Sequence, residues 1–363
     1  MPENLLTCAI PKHGGQLRQI SERFRIPVHQ LLDFSASIYP GGPPPSVIPT
    51  LVEALRHPAI LRDYPDLESV ELRDRLGLYA AVPPANILIA NGVAPLISAT
   101  IQALAVRRCL LPVPAFGEYR RIFENTAVEV HPFLLLPELD FRPDLEEMVS
   151  ECKRNGCDAL ILTNPSGFTF DGEQIRVMVE GAARKGIRVL LDEAFIDFVP
   201  GQSISPEVSK FSNLFVFRSL TKFFSMAGLR VGYMAAPQHL ARSISNFLAP
   251  WSISSLAALA AISSLSDAEY VSRTVNQNRV EREWLAGELD SIGMKVFSGS
   301  ANFLLFRLPI TMHNADTWER LIVNHRTVVR NCGSFEGLDA SYLRVAVRTR
   351  SENQRLVRAV AAV

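Results

Sequence analysis

Lys222 follows a short apolar run, residues 214–217, whose aromatic and β-branched side chains read as a buried strand. Ser219 stands three residues before the lysine and Arg230 eight residues after it. An amine just beyond a buried strand is fixed in place among apolar neighbours. Those neighbours disfavour the ammonium and leave a free amine able to form an imine with an aldehyde. A hydroxyl and a permanent cation nearby are the groups a phosphate monoester needs. A lone loop lysine is ordinarily a solvated charge, so the reading depends on what stands at the other strand ends.

Those ends carry matching groups. Asp192 closes the apolar run 187–191, where a carboxylate requires a cationic partner such as a pyridinium N–H. Asn164 follows the run 158–163 and offers an amide to a ring hydroxyl. Phe116, in the loop after residues 109–113, is placed to stack on a planar ring. The turn at Gly92, Val93 and Ala94 feeds a helix whose first N–H groups lack partners. An anion fits there, with Ser219 and Arg230 around it. Ring clamp, pyridine partner, phosphate cradle and lysine together match pyridoxal 5′-phosphate group by group.

The positioning elements follow from the hydrophobic pattern. Apolar runs at 86–90, 109–113, 128–135, 158–163, 187–191 and 214–217 alternate with helical periodicity. Short apolar strands separated by helices predict a largely parallel sheet covered on both faces, with ligands beyond the strand carboxyl ends. The stretch holding Gly228 and Gly232 reads as a turn. Past residue 250 the chain is mainly helical to about 292, then alternates short strands and helices as a smaller α+β domain. The expected division is an arm at 1–45, closed by the Pro/Gly run 40–45, a large cofactor-binding domain at 46–250 and a small domain at 251–363.

Composition narrows the class. Lys and Arg together number 37, as do Asp and Glu, which argues against a nucleic-acid or acidic-membrane partner. Five cysteines, an odd count without metal-ligand spacing, point away from disulfides and metal and towards a reducing cytoplasm. The uncharged run 243–266 contains Pro250, Asn246 and many serines, too polar for a membrane span. No signal peptide is read at the N-terminus. GxGxxG and GxxxxGK[ST] are both absent, so dinucleotide and P-loop readings have no support.

The chain resembles the fold-type I pyridoxal-phosphate enzymes of the class I/II aminotransferase family. The resemblance rests on Asn164-Pro165-Ser166-Gly167, Asp192-Glu193-Ala194-Phe195-Ile196-Asp197, Ser219-Leu220-Thr221-Lys222 and Gly228-Leu229-Arg230-Val231-Gly232-Tyr233. It implies an α/β fold: a large domain around a mostly parallel seven-stranded sheet, plus a smaller α+β domain. Two branches are near, L-threonine-O-3-phosphate decarboxylase of cobalamin biosynthesis and histidinol-phosphate aminotransferase. The first is nearer, on His13-Gly14-Gly15, Tyr64-Pro65-Asp66 and Pro250-Trp251-Ser252 among others.

Carried onto matching positions, the family's roles make Lys222 the imine lysine and proton shuttle. Asp192 pairs with the pyridine nitrogen, Asn164 with the ring O3′, and Phe116 stacks on the ring. Gly92, Val93, Ser219 and Arg230 hold the cofactor phosphate. Tyr64 reaches the phosphate held by the neighbouring subunit, which implies a homodimer. Arg344 clamps the substrate carboxylate, and His13 and Arg330 are assigned to the substrate's own phosphate. Arg348 either substitutes for one of them or is a surface charge.

The resemblance implies decarboxylation of a phosphorylated amino acid, L-threonine O-3-phosphate to (R)-1-amino-2-propanol O-2-phosphate. The alternatives are an aminotransferase of histidinol-phosphate type, a phosphoserine decarboxylase and, last, a binding module that keeps the fold without catalysis. Several departures bear on the substrate. Ser37 and Tyr39 stand where asparagines are expected after Asp33-Phe34-Ser35-Ala36. The cradle reads Asn91-Gly92-Val93-Ala94-Pro95, without acidic or hydroxyl residues. Phe195 removes a hydroxyl that many transaminases carry at that place.

Overall fold

The structure, a computed structural model, describes residues 11, 13–312 and 316–363. Cys8 and most of the expected arm before His13 lie outside the described residues. The arm carries α1 (Leu17–Phe24) and β1 (Leu32–Asp33). Three helices then lead to the main sheet: α2 (Val47–Leu55), α3 (Ala59–Arg62) and α4 (Val70–Ala80). The sheet comprises β2 (Ile87–Asn91), β3 (Arg108–Val113), β4 (Glu129–Leu134), β5 (Ala159–Thr163), β6 (Arg188–Asp192), β7 (Leu214–Ser219) and β8 (Val231–Ala235). Their order is β2-β8-β7-β6-β5-β3-β4, and only β8 runs against the rest. Helices α5 (Val93–Ala103), α6 (Glu118–Asn125), α7 (Leu145–Arg154), α8 (Gly172–Arg184) and α9 (Gln238–Ser245) cover its faces.

Side-chain alternation explains the two-sided cover. Along β7, Leu214 and Val216 join one apolar cluster and Phe215 and Phe217 the other, with no exposure at any of the four. Helix α5 buries Leu96, Ile97, Thr100 and Ile101 as one stripe against the sheet. Asp144 caps α7, and Asp171 forms a capping box with Gln174 at the start of α8. These caps end the loops that follow β4 and β5, and so fix where those loops meet the site.

Gly228 lies in a turn, as expected, whereas Gly232 belongs to β8, which corrects its reading as part of that turn. Val231, Tyr233, Met234 and Ala235 are buried in a strand that pairs with β2 on one side and β7 on the other. A glycine within a five-residue run weakens the strand signal, and here it marks a close backbone approach.

Beyond the main sheet, α10 (Ser255–Leu265) packs on α2 and α4, and the long α11 (Ala268–Ser291) leads to the small sheet. There follow β9 (Lys295–Val296), β10 (Phe303–Arg307), α12 (Thr317–His325), β11 (Thr327–Val328), β12 (Arg330–Asn331), β13 (Tyr342–Ala346) and α13 (Arg350–Ala361). The small sheet has the order β12-β13-β10-β9 and is antiparallel throughout. Phe306, Leu321, Leu343, Val345 and Leu356 centre its own apolar cluster. β1 pairs in parallel with β11 as a separate two-stranded sheet, and the Ala346 N–H of β13 donates to the Phe34 carbonyl at 2.8 Å, which ties the arm to the small sheet. The arm then crosses to the Lys222 turn, where the Tyr39 N–H donates to the Lys222 carbonyl at 3.1 Å.

Candidate active site

The carboxyl ends of β3, β5 and β6, arm residues 35–38 and the small sheet enclose a cavity of about 420 Å³. Lys222, Asp192, Phe116, Val93 and Arg230 line it, as do His13, Arg330 and Arg344. The other sequence-assigned residues, Gly92, Asn164, Ser219 and Tyr64, are not part of its lining.

Asp192 ends β6 opposite Thr163 of β5. Its Oδ1 accepts the Ala194 N–H at 2.9 Å, and its Oδ2 accepts the hydroxyl of Tyr119. That hydroxyl also lies 2.9 Å from Thr163 Oγ1. Burial pushes the Asp192 carboxyl above its ordinary range, while Tyr119, Ala194 and the Lys222 amine work the other way. Burial and the facing Asp192 push the Tyr119 phenol well up, so it remains a donor. Sequence reasoning missed Tyr119. Its signal is a tyrosine on the first turn of α6, three residues beyond Phe116, and the two rings meet edge-on at 5.6 Å.

Lys222 follows β7. Burial lowers its pKa from the ordinary lysine value, Arg230 and Arg344 lower it further, and Asp192 opposes them. Its Nζ stands 5.8 Å from the centre of the Phe195 ring. Phe195 packs on Phe303 at 5.2 Å, and Phe303 in turn lies 5.2 Å from the Arg344 guanidinium carbon. Amine and guanidinium therefore share a dry aromatic floor.

A cradle forms where β2 meets β8. Gly92 has φ +87° at the N-terminus of α5, which has no side-chain cap. A Cβ on Gly232 would lie 2.5 Å from the Gly92 carbonyl carbon and 2.8 Å from the Val93 nitrogen. A Cβ on Gly92 would lie 2.8 Å from Arg230 Nη2. The two glycines thus let Arg230 approach the uncapped N-terminus of α5, an arrangement able to receive an anion. Ser219 Oγ lies 2.7 Å from Thr221 Oγ1, and Thr221 is the one that lines the cavity. Gly232→Ala forces backbone against backbone and is expected to cost about 1–3 kcal/mol of stability. Thermal unfolding together with a cofactor titration should show both stability and affinity reduced. Unchanged affinity would mean that the cradle is elsewhere.

The remaining assigned residues take distinct positions. The Asn164 amide is engaged on both sides by Phe170: its Nδ2 donates to the Phe170 carbonyl at 3.0 Å, and its Oδ1 accepts the Phe170 N–H at 2.9 Å. His13 Nε2 lies 3.2 Å from Glu118 Oε1, with the His13 ring 6.5 Å from Phe116. Arg330 donates to the Pro11 carbonyl and to Ser334 Oγ. Arg344 is its register partner across β12 and β13, and among the described residues no carboxylate pairs with it. Burial lowers both guanidinium pKa values, that of Arg330 to about 10. Arg348 donates to Glu352 and to the Asp33 carbonyl, away from the cavity, so it braces the arm. Tyr64 is 79% exposed and packs at a tilt on Trp251, with ring centres 4.7 Å apart. Of the two departures in the arm, Ser37 puts at the cavity wall a buried hydroxyl that has no hydrogen-bond partner among the described residues. Tyr39 joins the core instead, donating to Gln277 and packing on Tyr270.

An amine for the aldehyde, a buried carboxylate for the ring nitrogen, an aromatic face and an anion cradle fit pyridoxal phosphate. Residues 29–360 match the family described as Aminotransferase class I and II. The chain belongs to the class I and II aminotransferase family. The threonine-phosphate decarboxylase of Salmonella typhimurium is 32% identical over 354 residues, covering 96% of this chain and 95% of that protein. The histidinol-phosphate aminotransferase from Clostridium acetobutylicum superposes with a TM-score of 0.83 at 30% identity, over 92% of this chain and 98% of that one. The histidinol-phosphate aminotransferase from Sinorhizobium meliloti, solved in complex with pyridoxal-5′-phosphate, superposes with a TM-score of 0.84 at 18% identity. It covers 95% of this chain and 93% of its own, a likeness of fold.

Behind the site, this class I and II aminotransferase chain buries a charged scaffold. Arg218, just before the Lys222 turn, pairs with Asp197, which also accepts the Tyr79 hydroxyl at 2.8 Å. Next to it Glu193 accepts from Ser203 and from the Ile204 N–H, and burial pushes its pKa up to about 7. A carboxyl raised in the folded state adds stability that is complete below its ordinary pKa of about 4.3 and is lost as pH rises through the folded value. Glu193→Gln is neutral at every pH. It is expected to unfold at a higher temperature than wild type at pH 8, by the equivalent of about 2–3 kcal/mol, with the gap closing by pH 5. A gap of the same size at both pH values would refute the buried-acid reading.

Proposed function

We propose that this chain decarboxylates a small phosphorylated amino acid, L-threonine O-3-phosphate in the first place. The cofactor is pyridoxal 5′-phosphate, which supplies an electron sink for the pair left at the substrate Cα. The observation that carries the reading is the pair of guanidiniums on the cavity wall, buried Arg330 and half-buried Arg344, in register across β12 and β13, the second joined to Lys222 by the Phe195–Phe303 floor. Two cations at a fixed distance from one amine suit a substrate with two anionic groups and one amino group. Arg344 holds the carboxylate, and Arg330 with His13 faces the phosphate. Which bond at Cα breaks depends on how these groups hold the substrate against the ring. Lys222, with its lowered pKa, then delivers or removes a proton there. Asp192, held by Tyr119, stabilises positive charge on the ring nitrogen.

The identity to the Salmonella typhimurium enzyme over nearly the whole chain supports this reading. The likeness to the Clostridium acetobutylicum enzyme supports the runner-up, amino transfer on a histidinol-phosphate-like substrate. Incubation of the holoenzyme with L-threonine O-3-phosphate separates them. Carbon dioxide released without a keto acid is expected, and strict dependence on 2-oxoglutarate would overturn the assignment.

We further place the chain in a homodimer in the cytoplasm. Leu61, Tyr64, Leu67 and Trp251 are exposed, and Tyr64 packs on Trp251; apolar exposure there favours a second copy, where Tyr64 would meet the partner's cofactor phosphate. The four described cysteines are free and buried, in keeping with a reducing compartment. A sedimentation mass of a single chain would remove the dimer.

A further inference from the structure

The cavity has two unlike sides. Its strand-end side carries the amine, the carboxylate and the cradle. Its outer side is built from Leu135 and Phe141 after β4, Phe297 and Leu305 of the small-sheet region, and Phe335 and Leu338 after β12. The rings of Phe141 and Phe297 meet at 4.9 Å and close the far end. Ser298 donates its N–H to Asp140 beside them, which ties the two walls together. Leu305 is the register partner of Arg344 on β10 and β13, so hydrocarbon and guanidinium stand side by side. The cations nearest this wall are Arg330, which also contacts Pro11, Ser334 and the Phe335 ring, and His13 beside Glu118; they serve the substrate phosphate and leave the apolar side chains themselves to be covered. A purely polar substrate would leave this wall facing water or an unmatched polar group, both unfavourable beside apolar surface.

We infer that the substrate carries hydrocarbon beyond its β-carbon, seated against Leu305, Leu338 and Phe297 while Arg344 holds its carboxylate. The inference rests on the reading of the site given above and sharpens it. Among O-phosphorylated 2-amino-3-hydroxy acids, the wall selects threonine-type and longer chains over serine-type. Each further methylene buried there is worth about fourfold in affinity.

The test titrates the holoenzyme with O-phospho-L-serine, O-phospho-L-threonine and the O-phosphates of 2-amino-3-hydroxypentanoic and 2-amino-3-hydroxyhexanoic acid, reading Kd from the cofactor absorbance. The series 2-aminobutanoate, norvaline and norleucine runs in parallel and reports on the wall without any phosphate. About fourfold tightening per added carbon is expected in at least one series. In Leu338→Asn, and separately in Leu305→Asn, the slope should fall below about twofold. Circular dichroism and thermal unfolding identify which variant folds. Affinity that stays flat or weakens along both series in wild type overturns the inference. A tightening series without carbon dioxide release leaves the wall assignment standing and removes the reaction assignment. Carbon dioxide release with a flat series does the reverse.

Discussion

Lys222→Ala is expected to lower turnover by about 10²–10⁴-fold, the range for loss of a positioned acid–base group. It should also end covalent retention of the cofactor after borohydride reduction, read by mass spectrometry. Both effects follow from one side chain. The amine sits after a strand without exposed residues, and burial favours its neutral form while Arg230 and Arg344 push in the same direction. The charge of Asp192 opposes that shift. Lys222→Arg keeps a cation but loses the nucleophile, because a guanidinium does not deprotonate. It should therefore match Lys222→Ala in turnover. An arginine variant with near wild-type turnover would show that charge at this position, and not the amine, is what matters.

Arg344→Met is expected to do two opposite things. Substrate binding should weaken by about 30- to 1,000-fold, since a buried hydrogen-bonded partner to a carboxylate is worth roughly 2–4 kcal/mol. The apo protein should become no less stable than wild type. Burial already lowers the guanidinium pKa, which is the signature of a charge that the fold hosts at a cost. Phe303 at 5.2 Å offers a cation–π contact, too small to offset burial by itself. Calorimetric unfolding and substrate titration on the same preparation test both halves. Lower apo stability with unchanged affinity would make Arg344 a structural residue and remove it from the substrate site.

The fold was legible where burial is uniform along a strand. β3, β5, β6 and β7 read as apolar runs because both faces of a parallel sheet are covered, and polar residues at or just past the ends of β5, β6 and β7 mark the site. Lys222 and Asp192 were found in this way. β8 was not, because a glycine needed for contact with Gly92 interrupts its pattern. β1, β11 and β12 are two residues long and have no period to read. At the site, residue types were legible but hydrogen-bond partners were not. Tyr119 reaches Asp192 from a different element, and the Asn164 amide turns to the backbone of its own loop. Sequence spacing does not encode either choice. The apolar outer wall was invisible for a similar reason. Its six side chains come from three separate segments, and each one looks like an ordinary core residue.

The reversed strand β8 also sets an order of assembly. β2 has no partner in the sheet other than β8. A nascent chain that has delivered β2 through β7 therefore holds its first strand without a neighbour, and pairing waits on a contact distant in sequence, a slow kind of step. The anion cradle needs Gly92 and Gly232 together, so it does not exist before that pairing. On the reading that this cradle takes the cofactor phosphate, its capture is a late event on the folding path, and colour at the site would serve as a clock for completion of the large sheet.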